Sequence, residues 1–150
     1  MSLLLVLAAL VTPPVFVEDV IKFEVKDAVF DPKDSDLIGY NDGEEKAFYY
    51  INGSATVKGK VPADGEYILT INASCTSAEN ENAKITIHVG DKQIVTDFLL
   101  TTEDQKDYEF TVTAKAGEVK VKVTYTNDIY KEGEHDRNFY LHEVTMKKKK

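Results

Sequence analysis

Beyond Val20 the chain alternates apolar and polar residues with a period of two, the repeat of a strand with one face buried. Val119, Val121, Val123 and Tyr125 alternate with Lys120, Lys122, Thr124 and Thr126. Ile85, Ile87 and Val89 alternate with Lys84, Thr86 and His88, and Tyr108, Phe110 and Val112 with Glu109, Thr111 and Thr113. Near the end, Phe139 and Leu141 alternate with Tyr140 and His142. Further strands are expected over residues 20–30, 47–51, 55–61, 66–75 and 92–100, separated by turn signals at Asn52-Gly53, Ala63-Asp64-Gly65, Gly90-Asp91 and Ala116-Gly117. No apolar repeat of helical period competes. Eight or nine strands at roughly ten-residue spacing predict an all-β fold, a two-sheet antiparallel β-sandwich.

The first twenty residues break the alternation. Leu3 to Val11 is one apolar run, followed by Thr12-Pro13-Pro14, and is too short for a membrane-spanning helix of about 20 residues. Three readings stay open: a secretory signal, a strand of the domain's own core, or a strand donated to a neighbouring copy, which would build a self-assembling extracellular filament. The expected organisation is an apolar segment over 1–19, a sandwich over 20–146 and a basic tail, Lys147 to Lys150.

Composition narrows the function. At 150 residues the chain is long enough for one self-sufficient core. A formal net charge of −8 argues against nucleic-acid binding, which clusters Lys and Arg. Lys147 to Lys150 form the only basic run, expected as a solubilising tail or as a contact for an acidic polymer or surface. Cys75 is alone and lies in a strand pattern, where a buried, inert thiol is expected. His88, His135 and His142 lack metal-ligand spacing and no nucleophile turn occurs, so the chain reads as a non-enzyme. Two sequons, at Asn52 and Asn72, are glycosylation acceptors if the chain meets that machinery.

The stretch Thr126 to Val144 carries the chemistry. Asp128, Glu132, Glu134 and Asp136 place four carboxylates in nine residues, with Gly133 allowing a sharp turn. That donor set suits calcium (Ca2+), which takes six to eight oxygens. The loop lacks the order of a helix-flanked calcium loop, so residues from elsewhere must complete a site. Of the run Phe48-Tyr49-Tyr50 at least one ring must face outward, and Tyr130 in the loop is the ring expected to meet a ligand.

Asn127-Asp128-Ile129-Tyr130 and Asp136-Arg137-Asn138-Phe139-Tyr140-Leu141 resemble the last loop and strand of the calcium-dependent xylan-binding modules. A weaker likeness runs through Pro62-Ala63-Asp64-Gly65-Glu66-Tyr67, Val89-Gly90-Asp91-Lys92 and Ala116-Gly117-Glu118-Val119. The resemblance implies a jelly roll whose loop-bound calcium coordinates sugar hydroxyls. It assigns metal-binding carboxylates to Asp128 and Asp136 and a ligating carbonyl to His135, and an early loop, Gly39-Tyr40-Asn41-Asp42, is expected to complete the site. On this reading Glu134 and Tyr40 join the metal set, Asn127, Tyr130, Tyr40 and Asp42 contact sugar, and the partner is a xylan-like polysaccharide outside the cell. The chain departs from the family at His142, where an aspartate is usual, and contains no tryptophan.

Overall fold

A computed structural model describes residues 11–13 and 19–150. Thirteen strands account for the described chain, with one short 3-10 turn at Val25–Asp27. In chain order they are β1 (Val20–Phe23), β2 (Val29–Asp31), β3 (Ile38–Asn41), β4 (Lys46–Tyr49), β5 (Gly53–Val61), β6 (Gly65–Cys75) and β7 (Lys84–Val89). They continue with β8 (Lys92–Leu99), β9 (Lys106–Ala114), β10 (Gly117–Tyr125), β11 (Ile129–Lys131), β12 (His135–Arg137) and β13 (Phe139–Lys148). All pairings are antiparallel. One sheet runs β3-β4-β13-β6-β9, with β1 beside β4 on the same edge of β13; the other runs β2-β5-β10-β7-β8.

The two sheets close on one apolar core because the period-two faces turn inward. Val119, Val121, Val123 and Tyr125 are buried, as are Ile85, Ile87, Tyr108 and Val112. Rings from both sheets lock the end of the sandwich nearest the acidic loop: Phe139 lies edge-on to Tyr49 at 4.9 Å and stacked on Tyr125 at 5.9 Å. In the Phe48-Tyr49-Tyr50 run, Tyr49 is buried and Tyr50 exposed, as strand geometry demands.

The structure departs from the sequence expectations in four places. Residues 20–30 are not one strand, because the chain coils through Val25–Asp27 and passes from one sheet to the other. In β13 the inward set is Phe139 and Leu141, then Val144 and Met146; a bulge between Leu141 and Glu143 absorbs the extra residue. The acidic loop contains its own hairpin, β11–β12. The basic tail is not all tail: β13 extends through Lys148, and the Lys149 amide donates to the Glu66 carbonyl at 2.9 Å. Residues 3–10 of the Leu3–Val11 run, on which the signal, own-core and donated-strand readings rest, lie outside the described residues. Cys75 is buried, and burial pushes its thiol pKa up.

Gly53 sits where the end of β2 and the start of β3 close over the start of β5. A Cβ there would stand 2.6 Å from the Asp31 carbonyl oxygen and 2.8 Å from the Ile38 side chain. Backbone cannot yield as a side-chain tip can, so Gly53→Ala is expected to destabilise the fold by about 1–3 kcal/mol, read as a lowered urea midpoint.

Candidate functional site

The site is built from three consecutive residues that the fold holds on every side. Thr76, just after β6, donates its hydroxyl to the Asp136 carbonyl at 2.9 Å and accepts the Asn138 amide at 2.8 Å; its own amide donates to the Asn138 carbonyl at 3.0 Å. Between them, the Arg137 carbonyl accepts the Tyr125 hydroxyl at 2.8 Å. The Arg137 side chain turns inward and is 4% exposed. Its guanidinium donates to the carbonyls of Glu81 at 2.9 Å, Asn127 at 2.5 Å and Ala78 at 2.6 Å. One planar fork thereby ties the acidic loop to the β6–β7 connection, which an ammonium cannot do.

With Arg137 pointing in, its neighbours Asp136 and Asn138 are left facing outward onto a groove of about 550 Å³. Asp128 and Tyr130 join them from β11 and its approach, and Tyr140 from β13. Leu37, Tyr50 and Ile51 form the remaining wall. The Asp128 amide donates to the Asn52 side-chain oxygen at 2.7 Å, which ties the loop to the β4–β5 turn. Asn138 donates its side-chain amide to Asp136 at 2.8 Å.

Two oxygens here lack partners among the described residues: Asp128 Oδ1 and Asn138 Oδ1, both buried. Burial pushes the Asp128 pKa up, the Asp136 charge pushes it further, and Arg137 opposes both. A carboxylate left without a donor beside a second carboxylate is poorly solvated in its charged form. A hard cation would remove that penalty, so the residues present fit calcium: two carboxylates and an amide oxygen, with open positions for water or hydroxyls. Among the described residues no group of three or more His, Cys, Asp or Glu could hold a metal, so further ligands would be neutral oxygens.

The sequence-predicted residues divide. Asp128, Asp136 and Tyr130 line the groove, with Tyr130 67% exposed. Glu134 does not: it sits at the exposed β11–β12 turn, 2.7 Å from Lys131, where Gly133 at φ 73° reverses the chain and carries the carboxylate outward. His135 pairs with Lys131 across that hairpin, and its ring stands 3.6 Å from Glu79. Asn127 turns inward, accepting the Lys84 amide at 2.6 Å and donating to the Asn82 carbonyl at 3.0 Å. Tyr40 and Asp42 lie at the closed tip of the β3–β4 hairpin, whereas the groove is lined by its open end, where the Tyr50 amide donates to the Leu37 carbonyl at 2.8 Å. Tyr40 instead lines a separate polar hollow with Glu44 and His142. His142 bonds Ser74 at 2.8 Å, and burial lowers its pKa.

Sequence reasoning missed Asn138 as a site oxygen and Leu37, Ile51 and Tyr140 as walls. Tyr140 was legible, since the alternation that buries Phe139 and Leu141 turns it outward. Leu37 and Ile51 carry no local signal; only sheet pairing brings them there. Of the sequons, Asn52 is exposed beside the groove, whereas Asn72 is half-buried in β6, bonded to Asp107 at 2.6 Å and Gln105 at 2.7 Å.

Replacing Arg137 by lysine breaks a three-carbonyl fork that one ammonium cannot reproduce, so Arg137→Lys is expected to cost about 2 kcal/mol or more, read by urea unfolding in chelator. Asp128 gives a pH signature. Because its folded pKa is raised, its charging opposes folding, and the penalty grows as pH rises from its ordinary 3.8 through the raised value. In chelator, Asp128→Asn should therefore exceed the parent in stability near neutral pH and converge with it in acid.

Among the described residues no helix is long and apolar enough to cross a membrane. No curated protein matches the chain. Its fold is similar to that of the C-terminal CBM6 of LamC, a marine laminarinase from Zobellia galactanivorans, with TM-score 0.60 and 10% identity over 87% of this chain and 100% of that one. A family 35 carbohydrate-binding module from Clostridium thermocellum gives 0.59 and 13% over 85% and 97%. The CBM36-1 domain of a multidomain xylanase from the hindgut metagenome of Trinervitermes trinervoides gives 0.59 and 14% over 89% and 98%. These likenesses show the β-sandwich. The family model of the Ca-dependent, xylan-binding carbohydrate-binding modules matches residues 68–150, which include β10 to β13 and the loop that supplies Asp128 and Asp136, and the chain belongs to that family.

Proposed function

We propose that the protein is a non-catalytic, extracellular module that binds a neutral, xylan-like polysaccharide through calcium held at the groove between Asp128 and Asp136. The observation that carries this reading is the buried, partnerless Asp128 carboxylate oxygen beside a second carboxylate and the partnerless amide oxygen of Asn138. When bound, calcium supplies positions at which paired sugar hydroxyls replace water. The chain's own residues do the rest. Asp128, Asp136 and Asn138 present oxygens, Arg137 and Thr76 hold the backbone that carries them, and Tyr130, Tyr140, Tyr50, Leu37 and Ile51 offer ring and aliphatic surface to a pyranose.

Millimolar calcium is expected to raise the thermal midpoint, and Asp136→Ala to abolish that rise, since binding to the folded state alone stabilises it. Calorimetry with xylo-oligosaccharides should show binding only with calcium, and Tyr130→Ala should weaken it about tenfold, the scale of one aromatic contact near 1.5 kcal/mol. Glycan binding that persists in chelator, or in Asp136→Ala, would place recognition on the rings alone.

A further inference from the structure

On the outer face of the second sheet, Lys58 and Lys60 of β5 and Lys120 and Lys122 of β10 are all exposed, alternating with buried Val57, Val61, Val119, Val121 and Val123. The register sets Lys58 directly opposite Lys120. Lys122 faces Thr56 on one side and His88 on the other, and Lys60 faces Glu118. Positions on one face recur at roughly 6.8 Å along a strand and about 5 Å across strands, so four cations share one small patch. Between Lys58, Lys60 and Glu118 lies a recess of about 390 Å³.

Two features separate this patch from an ordinary solvated face. Among the described residues, none of the four lysines has a salt bridge or side-chain hydrogen bond, in a chain with 26 acidic residues available to pair them. Like charges placed directly across a ladder also destabilise it, and Lys58 faces Lys120 without relief. The outward side chains of these two strands include no aromatic ring, only Ser54, Thr56, Thr124, Glu118 and the lysines, so stacking on a neutral sugar is not available. Charge and hydroxyls are what the face offers.

We propose that this face is a second polysaccharide contact, selective for anionic glycans that carry carboxylates or sulfates at intervals along the chain. It extends the module's reading beyond the calcium groove and does not depend on it. A sparsely charged glycan suits the patch better than a nucleic acid, because the rest of a chain with net charge −8 repels a dense polyanion and Glu118 interrupts the cations. Lys122 lies six residues before Asp128, roughly 20 Å of extended chain, so a substituted polysaccharide can reach both surfaces.

Affinity electrophoresis of the full chain in gels containing polygalacturonate, glucuronoxylan, a sulfated galactan or neutral xylan, all in chelator, tests this. The anionic polymers should retard the protein at low salt, and about 0.5 M NaCl should release it by screening. Lys58→Gln combined with Lys120→Gln should cut affinity about tenfold while the thermal midpoint rises slightly, since the facing charges are removed, and calcium-dependent binding to neutral xylan should stay intact. The carboxylated and sulfated arms identify which group is read. Asp136→Ala should leave retardation in place, which separates this surface from the calcium groove. No retardation by any anionic glycan, retardation unaffected by replacing all four lysines with glutamine, or equal retardation by duplex DNA would overturn the proposal.

Discussion

The site end of this sandwich depends on one buried cation. Arg137 gives up water to reach three main-chain carbonyls, those of Ala78, Glu81 and Asn127, in two connections; the Ala78 and Glu81 carbonyls also accept each other's amides, so the guanidinium is their second donor. Hydrogen bonds from a charged donor each contribute about 1.5–3 kcal/mol, so the fork is what clamps the two connections to each other. Its second effect is directional. Because Arg137 points in, Asp136 and Asn138 point out, and Thr76 and Tyr125 fix the backbone between them.

That rigidity gives the groove its electrostatic character. The Asp128 backbone is held by its amide to Asn52, and one of its carboxylate oxygens is buried without a donor. A protein that merely needed an acidic surface turn would leave such a group hydrated, as it does Glu132 and Glu134 at the exposed hairpin tip. Holding an unsolvated carboxylate costs stability when no cation is present and favours binding when one is, because the reorganisation has already occurred in folding. The stretch that the family model matches contains Asp128, Asp136 and Asn138.

Much of the fold was legible because a strand with one buried face writes a period of two. Where the pattern is interrupted the reading failed for definable reasons. Val20 to Phe30 looks continuous, yet Val25–Asp27 coils to change sheets, and three residues of 3-10 turn leave no mark on hydropathy. The shift from Leu141 to Val144 in β13 is visible in hindsight as a bulge. The aspartates and Tyr130 could be grouped from the sequence because they are neighbours in it, and they line one groove. Glu134 was overcounted, since proximity in sequence says nothing about which side of a hairpin faces the groove. Tyr40 was misplaced because its strand reaches the groove by the opposite end, and Leu37 and Ile51 arrive only through the β3–β4 pairing.

The account stands or falls on a hard cation between Asp128 and Asp136. Terbium(III), a luminescent hard cation, reports this directly, because Tyr130 and Tyr140 line the same groove and can sensitise its emission. Excitation of the tyrosines should produce terbium emission that saturates at one ion, is displaced by calcium, and disappears in Asp136→Ala while Glu134→Ala retains it. Emission that is absent, or that survives Asp136→Ala undiminished, would contradict the assignment.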